Sequence, residues 1–160
     1  MSAESVRDWL ACHAPELRLI EVEESTATVD EAARALGVEP ARIAKTLAIR
    51  AGETLFLLVT RGDARLDNRK CKDTLGARPR MLSAEETFEV TGHPVGGVCP
   101  FGLKGPLPVY LDVSLRPFEL VYPAGGSLQS SVEVTPQRLF DLVGDRWVDL
   151  CRLPEESGGT

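Results

Sequence analysis

KTLAIR (residues 45–50) and TLFLLVT (residues 54–60) are two runs of β-forming residues with Gly52-Glu53 between them. Two such runs around a glycine-containing turn predict a β-hairpin. The second run is apolar almost throughout, which is typical of a strand that is covered on both faces. We therefore predict that this hairpin lies at the centre of a sheet and that the rest of the chain packs around it.

The rest of the pattern mixes short helices with short strands. Capping residues, helical apolar spacing and glycine stops predict helices over residues 2–14, 28–37, 67–76, 83–91 and 136–144, with a further helical turn at Pro40. Alternating apolar residues predict strands over residues 17–23, 78–82, 107–113, 118–122, 128–134 and 146–151. Because these elements do not alternate regularly, we expect an α+β (mixed α/β) fold with a mainly antiparallel, barrel-like sheet flanked by helices. We expect one compact domain over residues 1–153 and a disordered tail over residues 154–160.

The composition is that of an ordinary globular protein. The chain has 160 residues, 43% of them hydrophobic and 26% charged, which is enough for one packed core. No apolar run approaches the roughly 20 residues that span a bilayer, and the first residues lack a signal-peptide pattern. We therefore expect a cytoplasmic protein with no membrane partner. The four cysteines are scattered without a C-x-x-C pair, so we expect free thiols rather than a zinc site or a redox dithiol.

The charge of the chain is unevenly distributed. The formal net charge is -6, which argues against a general nucleic-acid binder. The segment Arg61–Arg80, however, contains seven basic and three acidic residues and has a net charge of +4. Two interpretations are open: this basic segment steers a polyanion to one side of the molecule, or it is a solvated helix face with ordinary charge scatter.

The stretch GHPVGGVCPFG (residues 92–102) holds four glycines and two prolines between a predicted helix and a predicted strand. Glycine lets the backbone take positive φ and approach other groups closely, while proline stiffens it. A loop of this kind can expose N–H groups that bind an anion or a polarised carbonyl. A long turn between two elements is the alternative interpretation.

Few side chains in the sequence are suited to catalysis. His13 and His93 are too few for a histidine-based metal site, and the usual hydrolase and nucleotide-binding motifs do not occur. Cys99 with His93 could act as a thiol nucleophile and its base, although a buried structural cysteine is the commoner state. Lys45 at the start of the hairpin is either a surface lysine or a positive charge that works with the glycine loop. A lysine and backbone donors can position a phosphate-bearing substrate and stabilise an oxyanion, with a nucleophile from water or the substrate.

Several ordered motifs resemble one known family. They are Ala44-Lys45-Thr46-Leu47, Arg65-Leu66-Asp67, Leu75-Gly76, Thr91-Gly92, Gly96-Gly97-Val98-x-Pro100-x-Gly102, Leu111-Asp112 and Gly125-Gly126. In this order they resemble the YbaK/EbsC family, the free-standing relatives of the editing domain inserted in bacterial prolyl-tRNA synthetases. The resemblance extends from about Leu17 to Val143. It implies an aminoacyl-tRNA deacylase that hydrolyses mischarged tRNA in trans, most typically Cys-tRNA(Pro) or Ala-tRNA(Pro), and a compact domain built on a curved, mainly antiparallel sheet.

The resemblance also implies roles for individual residues. Lys45 matches the lysine on which deacylation depends, and it is expected to engage the phosphate end of the terminal adenosine and to place the ester. Gly96 and Gly97 match the loop whose backbone surrounds the aminoacyl carbonyl, and they complete the implied catalytic set. Water is the implied nucleophile, oriented by a hydroxyl of the terminal ribose, and no metal or cofactor is expected. The implied substrate-binding residues are Thr46, Val98, Gly102, Ala124, Gly125 and Gly126.

Two positions depart from the family pattern. Cysteine-specific members carry a serine directly before the paired glycines and an acid shortly after, where this chain has Ala124 and Ser131. The edited amino acid therefore stays open between cysteine, alanine, serine and other small residues. The implied partners are the acceptor end of mischarged tRNA and, as a further candidate, prolyl-tRNA synthetase. The alternative function is a non-catalytic module that binds tRNA or a synthetase.

The glycine loop also leads to expectations about substitutions. A β-branched residue at Gly96 or Gly97 is expected to block the substrate because it would fill space beside the backbone. His93 and Cys99 are expected to be replaceable, because the loop is thought to act through its backbone.

Overall fold

The computed structural model describes residues 2–154. Most of the tail predicted over residues 154–160 lies outside the described residues. The described helices are α1 (Ser2–His13), α2 (Val29–Leu36), α3 (Asn68–Leu75), α4 (Ala84–Thr91) and α5 (Pro136–Val143), with short 3-10 turns at Pro40–Arg42 and Val113–Leu115. The described strands are β1 (Arg18–Glu21), β2 (Ile43–Ala51), β3 (Thr54–Arg61), β4 (Arg65–Leu66), β5 (Pro79–Met81), β6 (Val109–Asp112), β7 (Tyr122–Pro123), β8 (Ser130–Glu133), β9 (Arg146–Val148) and β10 (Cys151–Arg152).

The predicted hairpin is confirmed as the centre of the sheet. Strands β2 and β3 pair antiparallel without interruption from Ala44–Arg61 to Ala51–Thr54. Gly52, at the turn, has a φ of +61°, a value that residues with a side chain rarely adopt. The strand order in the main sheet is β5-β2-β3-β6-β9, and β7 pairs with β2 as well.

Strand β3 is covered on both faces, as its sequence predicts. Leu57 and Val59 belong to the hydrophobic cluster on one face, whereas Phe56 and Leu58 belong to the cluster on the other. All four side chains are fully buried. Burial of each such side chain stabilises the fold by roughly 1.5–3 kcal/mol, so β3 anchors both layers of the core.

Helix ends follow the local capping signals. The Thr28 hydroxyl accepts a hydrogen bond from the Glu31 N–H at 3.1 Å at the start of α2. At the start of α4 the Ser83 hydroxyl accepts from the Glu86 N–H at 3.1 Å, and the Glu86 carboxylate accepts from the Ser83 N–H at 3.0 Å. These reciprocal bonds satisfy N–H groups that a helix leaves unpaired, which is why the two helices begin where the sequence predicts.

The predicted α+β class and mainly antiparallel sheet are confirmed. Four strand pairs are antiparallel and three are parallel in the part of the chain that the structure describes. Strands β1 with β8 and β4 with β10 form separate two-stranded sheets. Over residues 2–154 the main sheet therefore stays open, and the barrel-like form stops short of closure.

Two strand predictions differ from the structure. The strand predicted over residues 118–122 is displaced to β7, because the Phe118 N–H bonds back to the Leu115 carbonyl in a turn. The strand predicted over residues 146–151 divides into β9 and β10, which belong to different sheets. Between them the Leu150 N–H donates to the buried Asp112 carboxylate at 2.8 Å instead of to a neighbouring strand. In both places a long-range or turn contact overrides the alternating pattern.

The cysteines are free thiols, as predicted: Cys12 is exposed, and Cys71, Cys99 and Cys151 are buried. Among residues 2–154, none of the helices combines the length and the apolar character that spanning a bilayer requires.

Candidate active site

The edge of β2 opposite β3 is covered at both ends and open in the middle. Strand β7 pairs with Ile43–Ala44, and strand β5 pairs with Ile49–Ala51. Between these two partners, the stretch that begins at Lys45 faces a cavity of about 410 Å³. The fold thus places the lysine predicted from the sequence at a gap in the central sheet.

The cavity gathers residues from distant parts of the chain. Its walls include the segment before α2, the start of α4, the glycine loop (residues 92–102), and residues of β7 and β8. The predicted site residues that line it are Lys45, Thr46, Gly96, Val98 and Ala124. The predicted site residues outside its lining are Gly97, Gly102, Gly125 and Gly126.

Lys45 is held at the boundary of two cavities. Its Nζ donates a hydrogen bond to the Ala64 carbonyl at 2.5 Å. A second cavity of about 380 Å³ also has Lys45 in its wall, together with Asp63 and Arg65. Burial lowers the pKa of Lys45 because the half-buried ammonium loses hydration; the positive charge of Arg65 acts in the same direction and the negative charge of Asp63 in the opposite one. The lysine is therefore a partly desolvated cation with a fixed position, not a solvated surface side chain.

The glycine loop is held in shape by His93. This residue is fully buried, and its Nε2 lies 2.7 Å from the Phe101 carbonyl oxygen. Because a carbonyl oxygen only accepts, the ring nitrogen must carry the proton and donate it. Replacing His93 would remove the shorter of two contacts to this buried carbonyl, the other being the Cys99 thiol at 3.7 Å, so we expect a loss of stability, and the expectation that His93 is replaceable for activity stays a prediction.

Cys99 and His93 are adjacent, with 3.7 Å between the Cys99 Sγ and the His93 Nε2. The sequence alone makes this proximity improbable. However, burial raises the pKa of Cys99 to about 12, and its thiol lies 3.7 Å from the Phe101 carbonyl that it can donate to. A thiol with such a pKa holds almost no thiolate at neutral pH, and Cys99 does not line the cavity. The geometry does not favour a thiol nucleophile.

The two adjacent glycines of the loop differ in position: Gly96 lines the cavity and Gly97 does not. The Gly97 N–H donates to the Pro94 carbonyl at 2.9 Å, so it is already used within the loop. A Cβ at Gly97 would come within 2.9 Å of the Ser127 nitrogen, and a Cβ at Gly96 within 2.7 Å of the Leu128 side chain. Gly97 is thus required by its close packing against backbone, and Gly96 by its φ of +97°, so a β-branched residue at either position has a structural cost before any substrate arrives.

Gly102 does not line the cavity. Its φ is +58°, and a Cβ there would come within 2.6 Å of the Ser5 carbonyl oxygen. Gly102 therefore lets the end of the loop pack against α1. This packing explains the glycine without a contact to the substrate, and the implied role of Gly102 in substrate binding stays a prediction.

Gly125 and Gly126 form the turn behind Ala124. The Gly125 N–H donates to the Ser130 carbonyl at 3.0 Å, and a Cβ at Gly125 would come within 2.6 Å of the Leu19 side chain. Gly126 has a φ of +90°. The two glycines shape the wall of the cavity without lining it.

Ala124 and Ser131 face each other across the cavity wall. They form an antiparallel bridge and both line the cavity. These are the two positions at which the chain departs from the cysteine-specific pattern, so the structure brings both departures to one place.

Thr26 lines the cavity and was not identified from the sequence. It is 5% exposed, and its hydroxyl has no hydrogen-bond partner within residues 2–154. The Thr46 hydroxyl is likewise buried without a partner in the described part of the chain. No local signal marks Thr26, because it lies in an irregular segment whose place is decided by long-range contacts such as its N–H bond to the Leu128 carbonyl, 2.6 Å long.

The basic segment Arg61–Arg80 is only partly available to a polyanion. Arg61 makes an ion pair with Asp63 at 2.6 Å, and Lys70 makes one with Asp149 at 3.1 Å. Arg65, by contrast, is exposed and reaches the second cavity. The segment therefore combines structural ion pairs with a basic side chain close to Lys45.

The comparisons with known proteins agree with this fold. The model of the aminoacyl-tRNA editing domain family matches residues 23–142, and the chain belongs to that family. The chain is 46% identical over 154 residues to YwhH of Bacillus subtilis, an uncharacterized protein, covering 95% of this chain and 98% of that one. It is 38% identical over 95 residues to a proline–tRNA ligase of Shouchella clausii, covering 59% of this chain and 17% of the ligase.

A solved structure has the same fold. It is described as a candidate trans-editing enzyme for prolyl-tRNA synthetase, and it matches with a TM-score of 0.86 at 36% identity. The match covers 94% of this chain and 97% of that chain. The resemblance seen in the sequence motifs is therefore confirmed at the level of family and fold.

Proposed function

We propose that this protein is a trans-editing aminoacyl-tRNA deacylase, which hydrolyses the ester of a mischarged tRNA that carries a small amino acid. One observation carries the proposal: Lys45 and backbone of the glycine loop line one cavity, although they are far apart in the sequence. Membership of the editing-domain family supports the same activity.

Water is the proposed nucleophile. Its oxygen attacks the ester carbonyl carbon, the carbonyl oxygen becomes an oxyanion, and the bond to the ribose oxygen then breaks. The proton lost by water ends on the ribose oxygen, so the products are the free amino acid and the uncharged tRNA. Protein groups are needed mainly to hold the ester and to stabilise the oxyanion, which fits a cavity whose lining, within residues 2–154, contains neither a histidine nor a carboxylate.

In the proposed mechanism, backbone N–H groups of the glycine loop donate hydrogen bonds to the oxyanion. The Gly97 N–H is used within the loop, whereas the N–H groups of Gly96 and Val98 make no hydrogen bond to another backbone group among the described residues. Both residues line the cavity. We assign to these two N–H groups the contact with the oxyanion, in place of Gly97, and to Lys45 the positive charge that holds the acceptor end.

The second cavity is the proposed entry side of the tRNA. Lys45 lies in the wall of both cavities, and Arg65 brings a second positive charge to the outer one. A phosphate of the acceptor end can contact these side chains while the aminoacyl group enters the first cavity. The acidic remainder of the chain then favours a small contact area at the acceptor end, and we expect the protein to act in the cytoplasm, where tRNA is charged.

The test is a deacylation assay on purified tRNA(Pro) charged with alanine, cysteine or serine. The wild-type protein should release at least one of these amino acids, and a proline-charged tRNA should stay intact. A protein that binds these tRNAs and releases none of the amino acids would instead be a non-catalytic module. Adding prolyl-tRNA synthetase to the same assay tests whether that enzyme is a partner.

A further inference from the structure

Two residues that line the main cavity each carry a buried hydroxyl without a hydrogen-bond partner in the described part of the chain. The Thr26 and Thr46 hydroxyls are shielded from solvent and make no hydrogen bond within residues 2–154. Thr28, which lines the same cavity, differs because its hydroxyl is used to cap α2. A buried polar group without a partner lowers stability, so its presence needs an explanation, and a ligand that completes it is one.

The backbone of Thr46 adds a donor and an acceptor at the same place. The Ala48 carbonyl accepts from the Leu82 N–H at 3.0 Å, so the backbone of Ala48 points away from β3. Along a strand, the N–H and C=O of every second residue point to the same side. Thr46 lies two residues before Ala48, so its N–H and C=O also point away from β3. Strands β5 and β7 both stop short of Thr46, so these groups face the cavity at the open edge of β2.

An aminoacyl group is complementary to this edge. It carries an amino group and a carbonyl on either side of one Cα, as a residue of a β-strand does. It can pair with Thr46 like a strand of one residue, the amino group donating to the Thr46 carbonyl and the ester carbonyl accepting from the Thr46 N–H. A carbonyl oxygen has a second lone pair, which leaves it open to one donor of the glycine loop, and the oxyanion that forms from it has a third lone pair for the other donor.

This pairing determines where the side chain of the amino acid lies. Residues directly opposite each other in neighbouring strands have their side chains on the same face and close together. The side chain of the bound amino acid is then beside the Thr46 side chain, which carries the unpaired hydroxyl. Alanine offers nothing to that hydroxyl, whereas a hydroxyl on the substrate can both donate and accept.

We propose that Thr46 and Thr26 make the cavity selective for an aminoacyl group with a hydroxyl in its side chain, serine being the smallest. This selectivity rests on the proposed deacylase function, since it names the substrate class of the same site. It assigns Thr26, which no family motif marks, as a second residue that determines specificity.

The experiment compares seryl and alanyl substrates in wild type and in matched variants. Thr26→Val and Thr46→Val remove the hydroxyl and keep the shape, while Thr26→Ser and Thr46→Ser keep the hydroxyl. Hydrolysis is followed on Ser-tRNA and Ala-tRNA, and binding is followed by calorimetry on seryl and alanyl amides of 3′-amino-adenosine, which cannot be hydrolysed as esters. The wild type should prefer the seryl compound about tenfold, and each valine variant should lower that preference about three- to tenfold, while the serine variants keep it.

Each outcome decides between the alternatives. Equal weakening of seryl and alanyl compounds would show that the hydroxyls contact a group common to both, such as the amino group, and would overturn the proposal. The same holds if neither valine variant changes the preference, if the wild type prefers alanine, or if neither amide binds. The valine variants should also keep or raise the melting temperature, since each removes an unpaired buried hydroxyl. A clear fall in the melting temperature would show that the hydroxyls are bonded in the free protein, and it would count against the proposed selectivity.

Failure of the selectivity and failure of the function are distinguishable. Hydrolysis of Ala-tRNA at least as fast as Ser-tRNA leaves the deacylase standing and removes the selectivity. Preferred binding of the seryl amide without hydrolysis of either tRNA leaves the selectivity standing and removes the deacylase.

Discussion

Replacing Lys45 by methionine tests the central element of the proposed site. Methionine has nearly the length of the lysine side chain and lacks its charge, so the change removes the ammonium with little change in volume. A positioned donor or charge that meets a developing oxyanion or phosphate contributes about 2.7–4 kcal/mol to catalysis. We therefore expect the single-turnover rate of deacylation to fall about 10²- to 10³-fold.

The expected effect on stability is much smaller. The Ala64 carbonyl loses its bond from Nζ, and an unpaired buried carbonyl costs about 1–3 kcal/mol. The ammonium is itself partly desolvated, as its lowered pKa shows, and removing it relieves that cost. The two effects oppose each other, so thermal unfolding should show a loss of at most about 2 kcal/mol.

The pH dependence gives an independent test. Because burial lowers the pKa of Lys45 below 10.5, the ammonium is lost at lower pH than in an exposed lysine. The rate difference between wild type and Lys45→Met should therefore shrink as pH rises through that lowered pKa. In the same window the unfolded chain holds more protons than the folded one, so the contribution of Lys45 makes stability rise with pH.

The control removes the same charge elsewhere. Lys104 is exposed and does not line either cavity, so Lys104→Met should keep the wild-type rate. Full activity of a folded Lys45→Met protein would refute the proposed mechanism. An equal loss in both variants would show that net charge, and not the position of Lys45, controls the rate.

Three further predictions concern the loop and the basic segment. Cys99→Ala should keep the single-turnover rate within about threefold and lower the melting temperature, because the thiol is a buried packing group with a pKa of about 12. A large loss of the rate would instead support Cys99 as the nucleophile. Gly102→Ala should destabilise the fold by about 1–3 kcal/mol in denaturant unfolding, since its Cβ would meet the Ser5 carbonyl at 2.6 Å, and unchanged stability would contradict the described packing. Arg69→Glu on the exposed face of α3 should raise KM and weaken its dependence on salt, whereas an unchanged KM would leave that face without a role in tRNA binding.

Much of the local structure was predictable because it depends on short-range physics. The hairpin follows from two β-forming runs and a glycine at the turn, and the starts of α2 and α4 follow from Thr28 and Ser83. The strand predicted over residues 118–122 was wrong because a turn hydrogen bond at Phe118 outweighs an alternating pattern. Propensity is a weak guide wherever a few tertiary contacts decide between two conformations.

The sequence by itself determined the elements, the family resemblance, and the pairing of a lysine with a glycine loop as the interesting chemistry. Only the tertiary structure decided which atoms are available: the Gly97 N–H is used inside the loop, Gly102 packs on α1, and Thr26 joins the cavity. The physical reason is that a hydrogen bond or a cavity wall joins residues far apart in the chain. Their meeting depends on the packing of the whole core, which no local pattern contains.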